Sequence, residues 1–206
     1  MARITKNPEE RKAEIMNTAE VLFSEKGFRN VAVSDIVKKV GVAQGTFYYY
    51  FKSKEDLLNQ TLERQLDGIM QTVSSIAEGS ELDALQKLQS MLKIVLLSGL
   101  GRQNMTEHMD NNQDNEMHSR LEEKFHGKFY PVLLYVIEQG IKEGYFELNS
   151  YKEVTQILLL GIQGYMHAIY PLLKDRETVN EKMKAIEEVI VNVLGLKKGS
   201  IHITLE

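Results

Sequence analysis

Apolar residues at Ile15, Met16, Ala19, Leu22 and Phe23 recur at the spacing of one helical face, which predicts a first helix over 9–25. Lys26-Gly27 then supplies a favourable C-terminal charge and a stop. Val33, Ile36, Val37 and Val40 repeat at i, i+3, i+4 and i+7 before Gly41, a helix of barely two turns that closes on glycine. In the following run, Ala43 to Phe51, helical geometry places Phe47 and Phe51 on one face and Gln44, Gly45, Tyr48 and Tyr49 on the other. A longer helix begins at Lys54, with Ser53 as N-cap and Glu55 and Asp56 near the positive end of its dipole. Its predicted apolar stripe is Leu58, Leu62, Leu66, Ile69, Val73 and Ile76, ending at Glu78-Gly79-Ser80.

Another helix is predicted over about 81–98. Between Gly99 and Ser119 the period fails and polar residues dominate, which reads as a short helix within loops. Periodicity returns with Leu121, Phe125, Val132, Leu133, Val136 and Ile137 and stops at Lys142-Glu143-Gly144, with a turn over 145–150. Two final helices follow, over about 152–174 and 177–194. The first is apolar on several sides and must be covered on several sides. The tail from Ser200 alternates apolar and polar residues, as a short extended arm does. The whole reads as an all-α protein of about nine helices.

Composition narrows the function. The 206 residues suffice for a helical domain plus a small module, with 43% hydrophobic and 26% charged residues. No cysteine is present, which removes disulfides, thiolate metal sites and cysteine nucleophiles. No apolar run approaches the roughly 20 residues of a membrane span, and the N-terminus lacks a signal-peptide core, so a cytoplasmic protein without membrane contact is expected. Charge is split: residues 1–53 carry nine Lys/Arg against six Asp/Glu, whereas the rest bring the total to −4. A basic N-terminal part is drawn to phosphates and an acidic body is not, which orients such a molecule on nucleic acid.

Two short helices joined at Gly41 meet the requirements of a helix-turn-helix, in which the first helix braces and the second presents side chains to base edges. Taken alone, the pattern also fits a plain three-helix cap. Three consecutive tyrosines, Tyr48 to Tyr50, favour the binding reading, because a buried helix rarely keeps three hydroxyls and an exposed one rarely keeps three rings. The run from Val33 to Leu58, with Gly41, Gly45-Thr46-Phe47-Tyr48, Phe51 and Lys54-Glu55 within it, resembles the DNA-binding signature of the TetR family of transcriptional regulators over about residues 9–60. That resemblance implies a three-helix DNA-binding domain over 1–54, and a ligand-binding and dimerisation domain over 55–206. It also implies a repressor that binds a palindromic operator as a homodimer and is released by a small molecule.

Carried over by position, the resemblance places Gln44, Thr46, Tyr49 and Tyr50 near bases or adjacent backbone. Tyr48 and Lys54 fall at phosphate contacts, with Lys52 as a further one. Gln44 has the geometry to pair with an adenine edge, and Gly45 allows close approach. Two positions depart from the family pattern. Ala32 and Ala43 stand where a capping hydroxyl is usual, at about 1 kcal/mol per lost cap, and Ser34 offers a substitute hydroxyl beside the first.

In the C-terminal part, Gly161 and Gly164 would admit a second helix closely, and with Ile186 and Ile190 they are the candidate dimer contacts, the family building its dimer from the last two helices. Met91, Met105, Met109, Phe125, Phe129 and Tyr165 are the candidate lining of a pocket for a partly apolar effector. No cofactor or metal is expected. Asp110, Asn112 and Asp114 begin like a calcium loop, but Asn115 and Leu121 stand where the turn glycine and bidentate glutamate belong. An enzyme is not expected either: Glu123 to His126 is a single Glu-x-x-His where a di-metal bundle needs two. The alternative is a helical ligand- or protein-binding module without sequence-specific DNA binding, which salt-sensitive DNA binding would exclude.

Overall fold

A computed structural model describes residues 7–106, 111–173 and 175–204, and gives the backbone alone for 100–106 and 111–118. Among the described residues are eight α-helices: α1 Pro8–Lys26, α2 Val33–Val40, α3 Gln44–Tyr50, α4 Lys54–Glu78, α5 Ala84–Thr106, α6 Asn111–Lys142, α7 Tyr151–Ile169 and α8 Arg176–Val193. Short 3-10 turns follow α1 and α7, and the described residues contain no strand. The chain folds as two compact units, one of residues 1–67 with 101–121 and the other of 68–100 with 122–206.

The first unit is built on aromatic packing. Ile15, Ala19 and Phe23 of α1 are fully buried with Ile36 of α2, Phe47 of α3, Phe51, and Leu57, Leu58 and Leu62 of α4. The α1 face predicted from spacing is the buried one, residue for residue. Pairs such as Phe23–Phe28 at 5.2 Å and Phe47–Phe51 at 5.6 Å hold ring against ring. A polar tie reinforces the packing of α1 against α4: the Glu20 carboxylate accepts from Arg64 at 3.2 Å and Gln65 at 2.8 Å.

In the second unit, α5 starts on a reciprocal cap. The Gln86 N–H donates to Asp83 Oδ1 at 2.8 Å, and the Asp83 N–H donates to Gln86 Oε1 at 3.2 Å. Lys87, 3% exposed, donates to Gln139 Oε1 at 2.8 Å, which offsets part of the cost of burying an ammonium. Gly140 is needed for close approach: a Cβ there would overlap the ring of the buried Phe146. The C-terminal arm is extended, with Ile201 and Ile203 buried on the same side. The N–H groups of Ile203 and Thr204 both donate to Glu187 Oε1 on α8.

Two expectations are corrected. Where a short helix within loops was predicted over 99–119, α5 runs on to Thr106 and α6 begins at Asn111. The buried line of α4 continues from Leu66 through Met70, Val73 and Ala77, so Ile69 and Ile76 lie at its edge.

Candidate nucleic-acid interface

The helix-turn-helix is assembled from local rules. At Gly41 the backbone is left-handed, φ +78° and ψ +37°, a conformation that costs a side-chain-bearing residue and costs glycine little. The N–H groups of Gly41 and Val42 both reach Val37 O, at 2.9 and 3.0 Å, so that one carbonyl closes the end of α2 and the chain reverses at once into α3. Neither Ala32 nor Ala43 caps through its side chain. At α2 the loss is offset from the other direction, because Asp35 Oδ2 accepts the Ala32 N–H at 2.9 Å. An acidic residue three places after the cap was the signal, and Ser34 is not the group that supplies the bond.

The inward face of α3 is fixed by Phe47, 0% exposed, and Phe51, 1% exposed. With that face held, Gln44 and Gly45 are exposed, as are Tyr48 at 54% and Tyr49 at 77%, while Thr46 and Tyr50 are half-buried. The tyrosines are braced edge-on, Tyr48 against Phe47 at 5.2 Å and Tyr49 against Tyr50 at 4.9 Å, so little side-chain freedom is left to lose on binding. Ser34 and Lys52 are likewise exposed in the same unit.

Lys54 is placed differently from the other candidates. Its ammonium donates to Phe28 O and to Val31 O, both at 2.9 Å, and lies 4.1 Å from the centre of the Phe28 ring. Burial lowers its pKa from the ordinary lysine value, with Glu55 opposing. Two of its three N–H groups therefore fasten the start of α4 to the turn after α1. That start is also capped as predicted, Ser53 Oγ accepting the Asp56 N–H at 3.1 Å, and Asp56 Oδ2 accepts the Lys52 N–H at 2.8 Å.

Of the pocket candidates, Met91 and Phe129 are buried, and Phe125 is half-buried and stacked on Phe129 with centroids 5.1 Å apart. Tyr165 is 37% exposed. Met109 and the side chain of Met105 lie outside the described residues, as do Asp110 and the side chains of Asn112 and Asp114 in the calcium-like run. Gly161 and Gly164 stand exposed on α7, whereas Ile186 and Ile190 of α8 are each 2% exposed in this chain's own interior.

Residues 15–61 match the family profile described as bacterial regulatory proteins, tetR family. The HTH-type transcriptional regulator YvdT of Bacillus subtilis is 42% identical over 67 residues, 32% of this chain and 34% of YvdT. The HTH-type transcriptional repressor KstR2 of Mycobacterium tuberculosis is 30% identical over 91 residues, 44% of this chain and 45% of that protein. The matched stretches thus span between a third and a half of these relatives' lengths. A solved transcriptional regulator from Cytophaga hutchinsonii superposes with a TM-score of 0.78 at 20% identity, covering 88% of this chain and 95% of its own, so the fold is shared along nearly the whole length. No helix among the described residues is long and apolar enough to cross a membrane. Residues 15–61 thus carry the profile of the tetR family of bacterial regulatory proteins, on a fold that the chain shares with a solved transcriptional regulator.

Proposed function

We propose that this protein is a ligand-responsive transcriptional regulator of the cytoplasm, a repressor that binds a palindromic operator as a homodimer and leaves it when a small molecule binds. The observation that carries this reading is α3. Its inner face is locked by Phe47 and Phe51, and its outer face offers Gln44, Tyr48 and Tyr49 on a rigid footing within the segment that matches the family. Gln44, Thr46, Tyr49 and Tyr50 meet bases or adjacent backbone, Gly45 allows the approach, and Tyr48, Lys52 and Ser34 meet phosphates. Lys54, with two N–H groups committed internally, has one left for a phosphate and otherwise holds the start of α4 to the turn after α1.

Dimerisation is supported by the outward face of α7 and α8. Ile157 is 69% exposed and Leu160 50%, and Val189 and Val193 are exposed one turn apart on α8. A Cβ added at Gly161 or Gly164 would meet nothing within 4 Å, so these glycines serve no packing inside the chain and suit a second copy. Ile186 and Ile190 back this face from the core. In the functional division we propose, residues 1–54 read DNA and 55–206 bind effector and partner, and effector binding shifts α4 and with it the spacing of the paired recognition helices.

Fluorescence anisotropy with the chain's own upstream intergenic DNA, at two salt concentrations and with random duplex as competitor, tests the reading. Specific binding that weakens steeply with salt is expected. Equal, weak binding to both duplexes overturns the operator reading for that DNA and favours a sensor module.

A further inference from the structure

The C-terminal arm meets two helices of its unit within three residues. The His202 N–H donates to Gln89 Oε1 on α5 at 3.3 Å, and the N–H groups of Ile203 and Thr204 converge on Glu187 Oε1 of α8, the second at 3.3 Å. Three successive backbone donors are thus taken by side chains, two of them by one carboxylate, and bonds to an ionised acceptor are the stronger kind. Apolar contact adds to them. Ile201 and Ile203 are 1% and 0% exposed, while His202 between them is exposed. An extended segment sends alternate side chains to opposite sides, so both isoleucines seat in one groove, with α5 and α8 as the helices that hold the backbone over it.

The hold on the arm is confined to these contacts. Between α8 and the arm the chain turns over 197–200, where the N–H and the hydroxyl of Ser200 both donate to Lys197 O, at 3.1 and 2.7 Å, and where Lys197, Lys198 and Gly199 are exposed. The turn closes on itself, and α8 ends before it at Val193, so no helix has to unwind for the arm to leave. An open cleft of about 320 Å³ adjoins the arm, lined by Leu82, Leu85, Gln86, Gln89, Ser90 and the arm's own Ser200. Segments of a packed interior leave no such room beside them. A terminal segment tied down by a few contacts opens at a lower free energy than the helices it lies on.

We infer that the C-terminal arm is a detachable latch, an internal peptide ligand of α5 and α8, and that its groove recognises extended segments with apolar side chains two residues apart and three successive free N–H groups. Seated, the latch fastens α5 to α8 through Gln89 and Glu187; released, it bares the groove and frees both helices of that tie. As a regulatory element it rests on the DNA-binding reading above; as a latch it does not.

The test uses the full chain carrying Ile201→Asp and Ile203→Asp together, which expels the arm, and a fluorescein-labelled peptide of residues 197–204. By fluorescence anisotropy the variant should bind the peptide saturably, and the unsubstituted protein should bind it at least about tenfold more weakly, because its own tethered arm competes. Methylating the Ile203 amide nitrogen of the peptide keeps both side chains and removes one donor to Glu187, and should weaken binding by at least about tenfold. The variant's Tm should fall by at least about 4 °C and recover in part with excess peptide. Binding to neither protein, equal binding to both, or an undiminished methylated peptide overturns the assignment. If the variant does not fold, hydrogen exchange on the unsubstituted chain decides: the amides of residues 202–204 should be protected, yet open at least about tenfold more readily than those of Ile190 and Val191. Exchange as slow as in α8, or with no protection, overturns the latch. Affinity for the upstream DNA is read separately: a change of at least about fivefold in the variant supports a regulatory role, whereas no change leaves the latch standing and overturns that role. Failure of the unsubstituted protein to bind that DNA counts against the operator reading alone.

Discussion

The two units expose apolar surface of different kinds. In the unit holding α1 to α3, the large apolar side chains left exposed among the described residues are Val21 and the tyrosines Tyr48 and Tyr49. In the unit holding α7 and α8 the tyrosines Tyr135, Tyr145 and Tyr165 are exposed as well, but they are joined by five aliphatics, Ile157, Leu160, Leu172, Val189 and Val193. A tyrosine ring ends in a hydroxyl and keeps its hydration needs met at a wet, charged surface, whereas an aliphatic side chain gains only where water is excluded. The first surface suits phosphates and base edges, the second a dry contact with protein. On the reading proposed above, the chemical kind of the exposed residue, more than the apolar area, separates the α3 surface from that of α7 and α8.

The comparison breaks first at Phe47. Replacing it with alanine empties the centre of the first unit's core and should cost about 3–5 kcal/mol, read by urea denaturation, and should abolish DNA binding. If the α7 and α8 surface serves association alone, the same variant remains a dimer by sedimentation. A monomeric Phe47→Ala protein would show that the two functions are not separable in this way.

Leu160→Glu is the converse. A carboxylate on the outward face of α7 should leave the fold intact, since the side chain is half exposed, and should shift the proposed dimer to monomer at micromolar concentration, a loss of about 2–5 kcal/mol. Half-site affinity should persist while operator affinity falls. An unchanged sedimentation coefficient would assign the aliphatic face to some other contact.

What the sequence disclosed follows the same division. Gly41, Ser53, the buried face of α1 and the inward Phe47 and Phe51 were legible because caps, turns and short amphipathic helices obey local rules within a few residues. The stripe of α4 was misread at Ile69 and Ile76 because a seven-residue repeat was followed, whereas a helix of 3.6 residues per turn drifts and buries Met70 and Ala77 instead. The ends of α5 and α6 carry polar residues on all sides, so hydrophobic period is silent on them. At Ile186 and Ile190 apolarity alone did not distinguish this chain's interior from a partner-facing position, and exposure does.

Lys54 sharpens the contrast within the first unit, where a cation proposed to face DNA is also a structural tie. Lys54→Met keeps most of the stem but strands Phe28 O and Val31 O, and should cost about 1–3 kcal/mol of stability. If its remaining N–H also meets a phosphate, the slope of log affinity against log salt should flatten by about one unit. A loss of stability with an unchanged slope would mark Lys54 as a positioning residue alone.

The smallest effect separates the units by their response to acid. In the first unit, α1 is capped by Asn7, whose Oδ1 accepts the Glu9 N–H at 3.1 Å and does not titrate. In the second, α8 is capped by Asp175, which accepts the Thr178 N–H at 2.8 Å and the Thr178 hydroxyl at 3.0 Å. The backbone bond from Thr178, then the hydroxyl, holds the Asp175 carboxyl below its ordinary value of 3.8. A folded-state pKa below the unfolded one means that the unfolded chain binds the proton more readily, so the stabilisation is complete above 3.8 and is lost as pH falls through the lower, folded value. Asp175→Asn keeps an oxygen acceptor and removes the titration. Its Tm should therefore lie slightly below that of the unsubstituted protein at about pH 7, where the charge at the helix N-terminus is missing, and the gap should close as both are measured at about pH 3 and below. A gap that stays constant across that range would mean that the cap acts through its geometry alone, leaving the acid response of the two units without this distinction.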